Sequence, residues 1–546
     1  MLFLLGFLPW LLQANTVATT ENDPNAFVSH VNVITGDLYL KEQDVAVQGL
    51  EPIVLTRTYI SQKGKGAWSL FSPLIAYADT KAKILEIPEA SGTKLFYRWE
   101  TPSKKSGRLF SPFNLQQDGK GLSNTSKGKL SGKTNLKNQK IQASSDLSSF
   151  FVIAPDGAKR HYRSKDRFEI DALIEQNPSD LISFDECYLL VKEELPNGHH
   201  IHYDWPESKR APWRIKSCSG DHAHTFAWVQ FSPPEERKGR HSADCSVQTS
   251  DGRSLEYFFF PHENLHQLKR VESNEAPETS YHYTMLDRRK FLTLIKVADR
   301  PFLKISYYLP EQDGIDQKDP VCFRVKAVSA PFLVDGEEKY ITLHKFIYDV
   351  GNKKTTVFDA YGVPTLYHWD EDLRLVRLDF FSKPELFHHR VKFIWGEGND
   401  ASNLLCKVLF DEHKEPLSAT CYTYDPFGNV KKEEFFGNLS GEGPPLLLNG
   451  MGFPRPGGEC YTKTYRYSQD GKNLLLSQKE HSLVSSGPLI EYEYREDVPL
   501  LLKESIYDPQ TSALIQQKRY EYKGVILSKE IVSCEEAWGG THLITS

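Results

Sequence analysis

VNVITGDLYLKEQDVAVQGLEPIVLTRTYIS, residues Val31 to Ser61, decides the fold. Thr35-Gly36-Asp37 is a turn signal. Ile53 to Tyr59 is dense in β-branched and aromatic side chains and lies between Pro52 and Gly64, which spells a strand. The same grammar returns as short Tyr-x-Tyr and Asp-x-x-Gly units over the rest of the chain. It describes a repetitive β-sheet and points to no catalytic chemistry.

Composition agrees. The 546 residues include 26 Tyr, 31 Phe and 9 Trp with 25% charged residues, a mixture suited to pleated, half-buried surfaces. Helical periodicity is scarce, and the best helix candidate spans Asp166 to Glu175. The net charge of −6 comes from interspersed acids and bases, so no footprint for nucleic acid is present and no nucleic-acid partner is expected. The opening run MLFLLGFLPWLL is too short to span a bilayer and precedes Ala14 and Ala18, as in a secretory signal over residues 1–18. No Lys or Arg precedes Lys41, so the charged n-region is missing, and a buried strand is the other reading. No later stretch is long and apolar enough for a transmembrane helix.

Eight cysteines, Cys187, Cys218, Cys245, Cys322, Cys406, Cys421, Cys460 and Cys534, contain no C-x-x-C pair, which argues against a zinc ribbon or a thioredoxin-type site. Their even number permits disulfides on export, with connectivity left open. Residues 103–149 change abruptly to Lys, Ser, Gly, Asn and Gln, and this stretch is expected to be a long mobile loop. Ser232 to Gly239 and the Gly/Pro-rich run from Gly437 to Gly458 read as connections between strands.

From Phe150 onward, short strands alternate with turns such as Thr249-Ser250-Asp251-Gly252, Phe358 to Gly362 and Tyr424 to Asn429. Asp-Gly and Asn-Gly suit hairpins because turn residues must reach positive φ. Tyr-x-Tyr occurs at Tyr281/Tyr283, Tyr422/Tyr424, Tyr465/Tyr467, Tyr492/Tyr494 and Tyr520/Tyr522. With a side-chain period of two, each pair shares a face while His282, Thr423, Arg466, Glu493 and Glu521 occupy the other.

The recurrence of these units resembles the Rhs/YD-repeat family. Tyr424-Asp425-Pro426-Phe427-Gly428-Asn429-Val430 is similar to a full YD unit, and Tyr348-Asp349 and Tyr507-Asp508 to degenerate ones. Asn32 to Asp37 and Leu55 to Tyr59 resemble the N-terminal module that precedes such repeats in bacterial Rhs proteins. The resemblance implies an all-β fold with few helices: a long, curved antiparallel strip of YD-repeat hairpins forming a partial β-cage or shell. It divides the chain into an Rhs-like β module at 19–102, the Lys/Ser-rich loop at 103–149 and a YD-repeat-like region at 150–546. The chain stops at Ser546 without a recognisable core-terminating segment or toxin domain, so a partial shell is expected.

Candidate chemistry is thin. In the family, a C-terminal Asp-Pro-x-Gly motif with a partner aspartate resembles an aspartyl self-cleavage site. Asp425-Pro426-Phe427-Gly428 has that spelling but also the repeat context, so a turn is the favoured reading; cleavage needs two converging carboxylates. His199, His200, His202, His222, His224, His262 and His266, with Cys218 and Cys245, match no metal-ligand spacing. Gly128 to Thr134 imitates a phosphate loop with wrong spacing and wrong flanks. Glu193/Glu194 and Glu433/Glu434 are adjacent pairs that a strand turns to opposite faces. Catalytic, cofactor and metal residues are therefore expected to be none. The reading is a non-enzymatic exported structural protein, an Rhs-like shell or shell fragment for a toxin or effector cargo, completed by a neighbouring Rhs chain, or serving surface interaction. A carbohydrate- or cell-surface-binding adhesin using Tyr203/Trp205 or Trp213 is the alternative, and a self-processing aspartyl protease-like shell the second.

Overall fold

A computed structural model describes residues 26–534 and 542–544, apart from several turns and the stretches 62–66, 70–73, 89–93, 100–109, 114–139, 165–184, 206–212, 220–223, 233–243 and 261–266. The signal expected over residues 1–18, the helix expected at 166–175, the phosphate-loop imitation at 128–134, and His222, His262 and His266 lie outside the described residues. Described parts of 103–149 include two strands, Phe110–Phe113 and Lys140–Ala143.

The fold is all-β. A 33-stranded antiparallel sheet dominates, accompanied by a three-stranded sheet and a two-stranded one. The single helix among the described residues is one turn, Pro310–Asp313. From Lys140–Ala143 to His542–Ile544 each strand pairs with the next in sequence, in one uninterrupted meander. Alternation makes this work: along Arg300–Tyr307, Leu303, Ile305 and Tyr307 are buried while Phe302, Lys304 and Ser306 are exposed.

One turn recurs. Asp425 N donates to Asn429 O, Gly428 N returns to Asp425 O, and Asp425 Oδ1 accepts from Asn429 N. Asp359 and Asp411 build the same loop with Val363 and Glu415. The fourth residue takes positive φ, 84° at Gly428 and 77° at Gly362, which explains the glycine of Asp-x-x-Gly.

A second unit was not evident from the sequence. At nine places from Ser254–Phe259 onward, in most cases at every second strand pairing, an aromatic residue at the end of a strand faces an aliphatic residue across a register shift. The pairs are Phe259/Leu268, Tyr283/Leu292, Tyr307/Val325, Trp369/Leu375, Trp395/Leu404, Tyr424/Val430, Tyr467/Leu475, Tyr494/Leu501 and Tyr522/Leu527. The bulge adds twist and turns the ring into the sheet. Six of these rings, and Tyr348 on an unshifted pair, donate to the carbonyl of the aliphatic residue one unit back: Tyr283 to Leu268, Tyr307 to Leu292, Tyr348 to Val325, Trp395 to Leu375, Tyr424 to Leu404, Tyr494 to Leu475 and Tyr522 to Leu501, at 2.7–3.0 Å. Consecutive hairpins are thus stitched together by side chains as well as by the ladder.

The strand Glu186–Glu194 is a branch point. One edge pairs with Lys159–Ser164; the other edge pairs with Ile75–Asp79 through Glu186 to Leu189 and with His200–Asp204 through Lys192 to Glu194. The arm starting at Ile75–Asp79 continues through Ile84–Pro88, Lys94–Trp99 and Phe110–Phe113. Together with the strands from Lys140–Ala143 to Glu186–Glu194 it surrounds a separate core of Ala76, Leu85, Ile87, Tyr97, Phe150, Tyr162 and Leu190.

The run from Gly437 to Gly458 does more than connect strands. It folds back over the sheet, burying Leu446 against Cys406, Val408 and Ala419. Cys406 and Cys421 face each other in register, with Cα atoms 4.1 Å apart, and form a disulfide.

Candidate functional site at the seat of the N-terminal module

The strands Tyr39–Val47, Ile53–Ile60 and Ala67–Ser69 form the three-stranded sheet, preceded by the hairpin Phe27–Val28 and Val31–Asn32. This module packs on one face of the large sheet in a single shared core, where Val31, Leu38, Leu40, Val47 and Tyr59 meet Val229, Tyr257, Phe291, Val325 and Phe346. We call that side of the large sheet the seat face.

A charged cluster lies inside the contact. Period two puts Ile53, Leu55, Arg57 and Tyr59 on one side of their strand, so Arg57 points into the apolar seam and is only 3% exposed. Its guanidinium pairs with Asp44 Oδ1, donates to the Tyr281 hydroxyl at 2.7 Å, and lies 5.6 Å from the Trp68 ring centre and 5.7 Å from that of Tyr281. Tyr257 donates to the second Asp44 oxygen at 2.7 Å. Trp68 Nε1 donates to the Tyr283 hydroxyl at 2.7 Å, and that hydroxyl donates onward to Leu268 O, so the module is wired into the stitching of the sheet. Burial drives the Tyr281 phenol up to about 12, against the pull of Arg57, and raises Tyr257 as well. These phenols stay protonated near neutral pH and hold their partners through the hydroxyl.

The turn of the opening motif supplies the second anchor. Gly36 has φ of 74°, and a Cβ there would meet the Arg324 side chain at 2.6 Å. Arg324 Nη1 donates to Ile34 O at 2.6 Å, Val325 N to Gly36 O at 2.8 Å, and Thr355 Oγ1 to Val33 O at 2.5 Å. The turn falls at Val33 to Thr35, with Gly36 and Asp37 leading out of it to close the loop on Asn32, and this segment is also a docking edge. Sequence reasoning missed Arg57, Asp44, Tyr257, Tyr281 and Arg324 as partners. One signal was available: Arg57 sits on the apolar parity of its strand.

Other residues considered for chemistry fall apart or take structural places. Both Asp425 oxygens accept from Asn429, at 2.9 Å each, inside the recurrent turn. His200 and His202 lie on one strand with ring centres 5.9 Å apart. No group of three His, Cys, Asp or Glu residues able to hold a metal ion occurs among the described residues. Glu433 and Glu434 part as expected: Glu433 approaches Tyr465 on the seat face while Glu434 pairs with Lys432. Tyr203 and Trp205, the stacking pair of the adhesin alternative, are half-buried; Tyr203 donates to Glu193 at 2.6 Å and Trp205 to Leu190 O at 2.7 Å. Their polar tips have protein partners and their rings pack on the core, so of these aromatics only Trp213, 41% exposed, offers an open ring.

A family model described as a domain of unknown function, DUF6531, matches residues 29–71, which cover this module except its first strand. A comparison with curated proteins gives no match. Among solved structures, the chain is similar to TcdB2-TccC3-TEV, at 11% identity over 91% of this chain with a TM-score of 0.30. It is also similar to TcdB2-TccC3-Cdc42, at 10% identity over 91% with a TM-score of 0.32. This chain spans about a quarter of the length of those chains, 26% in each case. A porin-like protein from Bacteroides uniformis is similar over 56% of this chain and 93% of its own, at 7% identity with a TM-score of 0.18. No helix among the described residues is long and apolar enough to cross a membrane.

Proposed function

We propose that this chain is a non-enzymatic, exported structural protein of the Rhs/YD-repeat kind, whose stitched sheet forms part of a shell around a toxin or effector polypeptide. The observation that carries this reading is the N-terminal module seated through the buried Arg57/Asp44 pair on a sheet that repeats a single hairpin unit. Such a unit extends by addition, as shell-building requires, and the module fixes one place along it. The Cys406–Cys421 disulfide suits an oxidising compartment. A neighbouring Rhs chain would complete the wall. Fractionation of the producing cell with electron microscopy of the purified chain tests this. Recovery outside the cytoplasm and hollow or strongly curved particles are expected; a cytoplasmic protein of separate compact lobes would overturn it.

A further inference from the structure

Beyond the module, the seat face continues across the strands Pro416–Tyr424 to Ile526–Cys534 and changes character. The small apolar cluster there, Tyr465, Tyr467, Leu475, Ile490, Tyr492, Tyr494 and Leu501, is built from these strands alone. Tyrosines and polar partners alternate strand by strand, in register: Tyr422 faces Glu433, Tyr465 faces Gln478, Tyr492 faces Glu504 and Tyr520 faces Glu530. In two places the chain shows what this surface holds. Lys463 Nζ lies 3.3 Å from Glu480 and 5.8 Å from the centre of the Tyr461 ring, and Lys518 Nζ lies 3.6 Å from Glu504. At Lys463 the ammonium is lodged between a ring and a carboxylate, an arrangement that strengthens both attractions when water is partly excluded, and at Lys518 it meets the carboxylate alone.

At the two ends of the row no such ion pair closes. Lys463 lies opposite Glu433 in register but is drawn to Glu480, leaving Glu433 a tyrosine hydroxyl at 3.4 Å, and among the described residues neither Glu433 nor Glu530 has a Lys, Arg or His nitrogen within 4.0 Å. Burial raises the Glu433 carboxyl above its ordinary value, against the pull of Lys463, so an incoming cation would relieve a desolvated acid. We infer that this face docks an extended, lysine- or arginine-bearing polypeptide lying across the strands, with cationic side chains at Glu433 and Glu530. Charge complementarity selects the occupant, and spacing selects its form. Six strand intervals separate the two carboxylates, about 29 Å, which nine extended residues span. A neutral glycan would use the rings and ignore the acids.

The docking does not require the strip to belong to a closed shell, so it stands or falls separately from the function proposed above. The test titrates the full chain with a labelled peptide of about 12 residues, with a lysine pair at each end and a Ser/Gly/Thr body. Controls are a peptide of the same composition with its lysines contiguous and a neutral oligosaccharide. The separated peptide is expected to bind at least tenfold tighter than the contiguous one. Glu433→Gln with Glu530→Gln should abolish that preference, while Glu493→Gln with Glu521→Gln, on the opposite face, should leave it intact. Circular dichroism of each variant shows whether the fold is kept. Equal binding of both peptides, equal loss with either pair of substitutions, or oligosaccharide binding that survives Glu433→Gln with Glu530→Gln in place of peptide binding would overturn the inference.

Discussion

The guanidinium of Arg57 reaches the hydroxyl of Tyr281 at 2.7 Å across 224 residues of sequence. Removing it leaves Asp44, whose side chain is 5% exposed, with a buried charge and the Tyr257 hydroxyl as its remaining support. Arg57→Met is therefore expected to cost about 3–5 kcal/mol in urea unfolding, and Arg57→Met with Asp44→Leu much less, because the pair leaves together. A single-variant loss under about 1 kcal/mol would show that the seat does not depend on this pair.

The stitching makes a different forecast. Tyr424→Phe and Tyr522→Phe each remove one hydroxyl from a main-chain carbonyl, of Leu404 and Leu501, while keeping the ring. Each should cost about 0.5–1.5 kcal/mol. The two sites lie on hairpins with no shared partner, so the double variant should equal the sum within about 0.5 kcal/mol in the same titration. Strong non-additivity would mean that the stitches act as one cooperative unit.

The fold was legible in the sequence to the extent that local rules govern it. Asp425 in a hydrogen-bonded turn and Tyr492/Tyr494 on one face follow from turn chemistry and a two-residue period. The seat was not legible, because nothing local tells Asp44 that its partner is Tyr257, 213 residues on. Whether Tyr203 and Trp205 face solvent was open for a related reason: burial depends on which cores lie beneath a strand, and Tyr203 touches both of them. The disulfide was open for the same cause, since Cys406 and Cys421 are matched by strand register alone.

Acid should weaken the fold through His368. Burial first, and Arg377 second, hold its imidazole down to about 4 from an ordinary 6.5, with Asp379 opposing. Between those values the unfolded chain binds the proton that the folded chain refuses, so stability rises with pH across that window. The contribution is complete above pH 6.5 and is lost as pH falls toward 4. Thermal midpoints of the wild type should fall over this range more steeply than those of His368→Gln; parallel profiles would remove His368 from the account.

Reduction tests the staple beneath the 437–458 flap. The disulfide closes a separation of 15 residues between strands that already pair. Cys406→Ser with Cys421→Ser should cost about 3 kcal/mol, and a thiol reductant should lower the stability of the wild type but not of the double variant.

The distance between Arg57 and Tyr281 also sets a clock. At ordinary ribosomal synthesis rates, roughly 10 to 45 s pass between the making of one residue and the other. Throughout that interval the module's charged underside has no seat. Ile75–Asp79 likewise waits for Glu186–Glu194 before its open edge is filled. A chain built this way is assembled by its later hairpins arriving under a module already made, and its most exposed moment is in the middle of its own birth.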